Sequence, residues 1–366
     1  MEQRKVHGMN RRLGLAGLLG ASGLVLSGCT VAPPDNGFFH ALRMGWPQGI
    51  TPEAQGLGNF WVWVWVAAWI IGIIMWTLMF VVIFRDSDKA RKRRGDNEEF
   101  PRQTGYNVPL ELGLTTLPVL IIMVLFFFNV PVQDKATALD KDPKVTVDVT
   151  GFQWNWKFGY GEINSELMPN NQNYDGVDEQ AQKLAEDSQY ELREGQEVGP
   201  IHGKSAEDYS YLNFNKIETV GSTEEIPILV LPSKTAIEFN LASSDVVHSF
   251  WVPEFLFKRD VFPHPEQNRS ERRFQVEEIT EEGAFVGRCA EMCGTYHAMM
   301  NFEVRVVSPE DFTRYIDYRQ KHPEAPNSEA LEAIGVDPYA VTTSPFVTDR
   351  QGTRDESSDI NRNSQN

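Results

Sequence analysis

Two long apolar stretches stand out against a chain whose other hydrophobic positions are short and interrupted. From Ala54 to Phe84 there is no charged residue, and Trp61–Phe84 is dense in Trp, Val and Ile. From about Val108 to Val132 the sole ionisable residue is Glu111. A run of about 20 apolar residues covers the roughly 30 Å hydrocarbon core of a bilayer. The pattern therefore predicts two spanning helices, about 60–84 and 108–132, inside a hairpin of residues 29–135. The loop 85–107 between them carries Arg85, Lys89, Arg91, Lys92, Arg93, Arg94 and Arg102. A short basic loop stays cytoplasmic by the positive-inside rule, which puts both ends of the hairpin outside. Trp61, Trp63, Trp65 and Trp69 suit an outer interfacial belt, and suit aromatic packing against lipid or a partner equally well.

The start of the chain has the pattern of a targeting segment. Arg4, Lys5, Arg11 and Arg12 precede Leu13–Leu26, an apolar run too short to span a membrane. It ends in Leu26-Ser27-Gly28-Cys29. This looks like a bacterial lipoprotein signal, residues 1–28, with cleavage leaving a lipidated Cys29; the alternative is an ordinary signal peptide with an incidental cysteine.

Beyond about Lys135 the pattern changes to short alternating runs. Val145-Thr-Val-Asp-Val-Thr150 reads as a strand, and so do Ile226–Leu231, Thr235–Leu241, Arg273–Val276, Ala284–Cys289 and Asn301–Val307. Pro227, Pro232, Pro253, Gly283 and Gly287 punctuate them. Several short strands with turn signals predict an all-β sandwich or barrel over residues 136–320. One helix, capped by Ser308 and opening at Pro309, follows. Residues 321–366, rich in Ser, Asp, Asn and Pro, read as a mobile polar tail. Phe152, Trp154 and Trp156 cluster after the first strand, and alternation puts them on one face.

Charge and cysteine usage narrow the function. The net charge is −17, so no basic footprint for nucleic acid exists, whereas a basic partner would be attracted. Three cysteines with no Cys-x-x-Cys-His leave neither a disulfide framework nor a covalent haem. Two of them fall in Cys289-Ala-Glu291-Met-Cys293-Gly-Thr-Tyr-His297-Ala-Met-Met300, and His248 sits in Asp245-Val-Val-His248-Ser-Phe-Trp-Val-Pro253. Thiol, imidazole and thioether are soft ligands that suit copper electron transfer better than structural zinc. Cys289 and Cys293 could also form a disulfide in an exported domain, although a four-residue spacing rarely allows bridging geometry.

With these two motifs and Gly151-Phe-Gln-Trp154-Asn-Trp156-Lys-Phe158, residues 55–320 resemble subunit II of haem–copper cytochrome c oxidases. The resemblance implies a two-helix transmembrane hairpin followed by an extracytoplasmic cupredoxin-like domain, a Greek-key β-sandwich or barrel. It implies a binuclear copper A centre bridged by Cys289 and Cys293, with His248 and His297 each on one copper. Met300 and the Glu291 carbonyl are the implied weak axial ligands, and the Glu291 side chain would reach a magnesium or manganese ion at the border with subunit I. Trp154 would receive electrons from cytochrome c. Glu111, seven residues before Pro118, would lie at the mouth of a proton-uptake path; the alternative is an acid at the headgroup level. Lys258 and Asp260 match a stretch near the subunit I contact without implied chemistry.

The implied partners are subunit I, with haem a, haem a3 and copper B, subunit III, and cytochrome c. The implied location is a bacterial plasma membrane, with the copper domain outside. The implied activity is that of a proton-translocating cytochrome c oxidase in which this chain relays electrons to haem a and does not itself reduce oxygen. The acidic stretch 161–222 is longer than the family's usual connection. It would dock a cytochrome c domain or a neighbouring respiratory complex, or else be a solvated excursion. A quinol oxidase subunit would lack the ligand set, a nitrous oxide reductase would need a propeller domain, and an exported metallochaperone would have no use for two spans.

Overall fold

The computed structural model describes residues 32–96, 100, 105–187 and 209–345, so Cys29 lies outside the described residues. The chain divides into two compact units: a helical one up to Met44 and over Asn59–Gln133, and a β-rich one formed by Gly45–Gly58 and the chain from Asp134 onward.

Two helices, Pro52–Arg85 and Val108–Thr137, are long and apolar enough to cross a membrane. At about 1.5 Å per residue they measure roughly 50 and 45 Å. Both outrun the apolar cores that predict them, because the flanking Glu, Gln, Asp and Lys residues are also good or tolerable helix formers. The second helix is capped reciprocally. Asn107 Oδ1 accepts from the Leu110 N–H at 3.2 Å, and Glu111 Oε1 accepts from the Asn107 N–H at 3.2 Å. Glu111 thus has a local role in starting the helix. In the basic connection, a short helix, Asp88–Arg93, is capped by Ser87, and Arg91 is buried against Asp96 at 3.0 Å.

The β unit is built from two sheets. Its strands are β1 (Val145–Phe152), β2 (Asn155–Ile163), β3 (Tyr174–Asp175), β4 (Glu218–Val220), β5 (Ile228–Pro232), β6 (Ile237–Ser243), β7 (His248–Val252), β8 (Phe257–Val261), β9 (Arg273–Val276), β10 (Gly283–Cys289) and β11 (Asn301–Val307). One sheet runs β3-β2-β1-β6-β9 with β4 also on β2; the other runs β5-β11-β10-β7-β8. The β1–β6 and β5–β11 pairs are parallel. Aromatic rings join the two inner faces: Trp156 and Phe158 meet Phe302 at 5.4 and 5.3 Å, and Phe239 meets Phe250 at 5.5 Å. This is the sandwich that the alternating runs predict.

Four features depart from the sequence expectation. Phe152, Trp154 and Trp156 do not share a face, because Phe152 pairs with Asn155 across a two-residue turn and Trp154 occupies that turn. His248 is the first residue of β7, a strand that the sequence reading does not include. Strand β2 hides from periodicity because Gly159 and Gly161 stand where its alternation calls for polar residues, and both are buried.

The fourth departure is the tail. Over 321–345 it is not a free polar segment: a helix, Asn327–Ala333, buries Ala330 and Leu331. The apolar residues that do this are few and widely spaced, so composition does not reveal them. The acidic stretch is also anchored. Buried Asp148 on β1 accepts from Asn213 Nδ2 (2.6 Å), Asn215 Nδ2 (2.9 Å) and Asn240 Nδ2 (2.8 Å). A buried carboxylate with three donors is well satisfied, and it fastens the returning end of the stretch to the sheet.

Candidate metal centre

The site lies where the β10–β11 hairpin opens into its loop. Cys289 ends β10, Met300 immediately precedes β11, and the Cys289 N–H donates to the Met300 carbonyl at 3.1 Å, closing the loop on itself. Strand β7 runs antiparallel beside β10, pairing Phe250 with Cys289, and so brings its first residue, His248, against the same loop. A short 3-10 turn, His297–Met299, carries the second imidazole.

The donor atoms converge. Cys289 Sγ is 3.8 Å from Cys293 Sγ and 3.9 Å from His248 Nδ1. Cys293 Sγ is 3.6 Å from His297 Nδ1 and 3.9 Å from Met300 Sδ, and the Glu291 carbonyl is 3.3 Å from Cys289 Sγ. The two thiols are free and far beyond the S–S bond length of about 2.05 Å, so the disulfide alternative is not realised. Their 3.8 Å separation is less than twice a metal–thiolate bond of about 2.3 Å, so a metal ion can touch both. His248, Cys289 and Cys293, all buried, form the grouping that could hold an ion among the described residues.

Each imidazole stands beside a different sulfur. His248 is held from behind: its Nε2 is 2.9 Å from Asp245 Oδ1, which leaves Nδ1 free to act as a ligand. Asp245 in turn accepts from the backbone N–H groups of Val246 and Gln153, both at 2.6 Å. Burial works to raise the Asp245 carboxyl, but the hydrogen bond with His248 and those two N–H groups hold it below the usual carboxylate range. Burial works to lower His248, and the bonds to Asp245 and Cys289 overcome it and raise it. The thiols share one proton unequally. The hydrogen bond from Cys293 holds Cys289 down to about 3, while the same contact and burial push Cys293 up. Deprotonation therefore favours Cys289 over Cys293.

The aromatic surround is equally specific. The Trp154 indole N–H donates to the Cys293 carbonyl at 3.1 Å, and Tyr296 meets the indole edge-on at 5.0 Å. Trp156 is fully buried under the site and donates to the Met300 carbonyl at 3.3 Å. Gly294 has φ +122°, and a Cβ there would lie 3.1 Å from the Trp154 indole.

The structure thus gathers His248, Cys289, the Glu291 carbonyl, Cys293, His297, Met300 and Trp154. The Glu291 carboxylate turns elsewhere, 3.9 Å from Lys258 Nζ and 44% exposed. Glu111 belongs to the helical unit. Sequence reasoning missed Asp245, Gln153 and Gly294 as site residues. Each stands within three positions of a predicted one, and that adjacency was the available signal.

The family model for the periplasmic domain of cytochrome c oxidase subunit II matches residues 210–307. "Cytochrome c oxidase subunit 2" of Corynebacterium glutamicum is 61% identical over 355 residues, 97% of this chain and 98% of that protein. The protein of the same name from Mycobacterium tuberculosis is 50% identical over 342 residues, 93% and 90% of the two chains. The crystal structure of the periplasmic domain of cytochrome oxidase subunit II from Bradyrhizobium japonicum covers 49% of this chain and 96% of its own, at 22% identity and a TM-score of 0.29.

Proposed function

The chain belongs to the cytochrome c oxidase subunit 2 family, and on that premise we propose that its β unit holds a binuclear copper A centre and takes electrons from cytochrome c for delivery to haem a of subunit I. The observation that carries this reading is the pair of free thiols 3.8 Å apart, each with its own imidazole. Cys289, Cys293, His248 and His297 would hold the copper pair, which would supply a one-electron store with little rearrangement on reduction or oxidation. The chain's own residues do the rest. Asp245 presents His248 Nδ1, the closed hairpin loop sets the spacing of the sulfurs, and buried Trp156, Met300 and Phe302 keep water from the inner side. Oxygen reduction and proton translocation belong to subunit I.

The test is metal analysis and electron paramagnetic resonance on the full chain purified without its partners. Two coppers per chain are expected, with the seven-line hyperfine pattern that one electron shared equally by two copper nuclei gives. Zinc, or a single copper with four lines, would overturn the assignment.

The remaining assignments are proposals of the same reading. The two long helices cross a bacterial plasma membrane, with the basic connection inside and the β unit outside. Trp154 is the point of electron intake, supported by its indole bond to the carbonyl of a ligand cysteine. The Glu291 carboxylate gives one arm of a magnesium or manganese site at the border with subunit I. The acidic stretch 161–222 docks a basic cytochrome c or cytochrome c domain, and exposed Glu111 stands at the proton-uptake mouth.

These last two roles separate kinetically. Deleting the stretch is expected to raise KM for cytochrome c at low salt with kcat kept, whereas E111Q is expected to lower kcat with KM kept. Unchanged kinetics in either variant would remove the corresponding role.

A further inference from the structure

The two-residue turn between β1 and β2 is gripped from both sides of the metal centre, and Gln153 makes both grips. Its backbone N–H donates to Asp245 Oδ2 at 2.6 Å, while the other oxygen of that carboxylate holds His248. Its side-chain Nε2 donates at 2.8 Å to the Cys293 carbonyl, the same oxygen that the Trp154 indole reaches at 3.1 Å. The missing side chain of Gly294 leaves room for this: a Cβ there would lie 3.2 Å from Gln153 Nε2 and 3.1 Å from the indole. Gln153 is no ligand and is half-buried. It nonetheless links the carboxylate behind one imidazole to the backbone of one thiolate, with the indole between.

We propose that Gln153 is a positioning residue for electron intake, holding the Trp154 indole against the Cys293 backbone and thereby setting the gap that an electron crosses. This rests on the reading of Trp154 as the point of intake. The indole's own bond to the carbonyl fixes one point and leaves the ring free to pivot. The Gln153 amide removes that freedom, because adjacent residues on a tight turn cannot move independently. Electronic coupling across a gap falls steeply with distance, so a small displacement acts on rate and leaves affinity alone. A group held through a supporting hydrogen bond loses its geometry when that support is removed.

The test uses the assembled oxidase with Q153M, which keeps the side chain's length and removes the donor, beside W154F. Copper content and the resonance spectrum of Q153M are expected to match the parent. Electron uptake from reduced cytochrome c in a single turnover is expected to slow about ten- to a hundredfold, the scale on which a misplacement of about 1 Å acts in an active site. KM is expected to stay within about twofold, as for loss of an interaction that acts on rate alone.

A parental uptake rate in Q153M beside a slow W154F would overturn this inference alone. So would a raised KM with uptake unchanged, which would make Gln153 a docking contact, or loss of copper from Q153M, which would make it a structural member of the centre. A parental rate in W154F would remove the intake reading itself, and this inference with it.

Discussion

Replacing either Cys289 or Cys293 with serine is expected to abolish turnover with cytochrome c while leaving the β unit folded. Every short distance between the candidate donor atoms involves one of the two sulfurs, and each sulfur stands against one imidazole. A serine hydroxyl stays protonated near neutral pH and is a hard donor, so it can neither bridge nor share electron density with copper. The loss is therefore of the whole centre and not of a fraction of its potential. The fold survives because Cys289 and Cys293 contribute little apolar area beside Trp156, Phe250 and Phe302, which fill the space beneath them.

Copper per chain should fall below two in each variant, and steady-state oxygen uptake should drop to background with an unchanged circular dichroism spectrum. Acid should mimic the mutations in part. Binding needs thiolates and a free imidazole lone pair, so protons compete with metal and loading falls as pH falls. A C289S or C293S oxidase with parental turnover would end the dicopper reading.

The second large effect is expected at Glu303 and Arg305 on β11, the strand that leaves the site. Their side chains meet at 2.5 Å and are 0% and 7% exposed. Glu303 Oε2 also accepts from the Val341 N–H (2.8 Å), the Thr342 N–H (2.9 Å) and the Thr342 hydroxyl (2.8 Å). Arg305 donates to the Asp337 carbonyl at 2.8 Å and the Tyr339 carbonyl at 3.1 Å. The pair thus straps residues 337–342 onto the sheet.

In E303A the guanidinium and three tail donors lose their acceptor in a dry site. Breaking a buried pair by removing one partner costs about 3–5 kcal/mol. At about 2–4 °C per kcal/mol for a unit of this size, Tm should fall by roughly 6–20 °C. Amide exchange at 337–342 should accelerate. The double change E303L with R305M should recover the part of the loss due to the unpaired guanidinium, since apolar replacement removes both charges together, while the tail N–H groups stay without their acceptor. A parental Tm in E303A would show that the strap bears no load.

The grouping of donor atoms was legible because they belong to rare residue types at close spacing. Cys289, Cys293, His297 and Met300 lie in one hairpin loop, and local chain geometry alone brings them near one another. The two long helices were equally plain, since a membrane demands an unbroken apolar run. Strands whose residues alternate between polar and apolar, such as β9 and β11, came out at the expected bounds. Strands β2 and β7 did not, because Gly159 and Gly161 stand at the polar places of β2, and β7 sets His248 beside Ser249 and Phe250 beside Trp251, which breaks the alternation that marks a strand.

By itself the sequence determined which atoms could bind a metal, where the apolar spans fall, and that a β-rich unit follows them. Tertiary structure alone decided that Asp245 accepts from the Gln153 backbone, that Gln153 and Trp154 share the Cys293 carbonyl, and that the polar tail is strapped to Glu303. The division has one physical cause. Ligand type and hydrophobic runs are properties of residues and short windows, whereas these hydrogen bonds join positions up to 140 residues apart, and only the packed sheets bring such positions together.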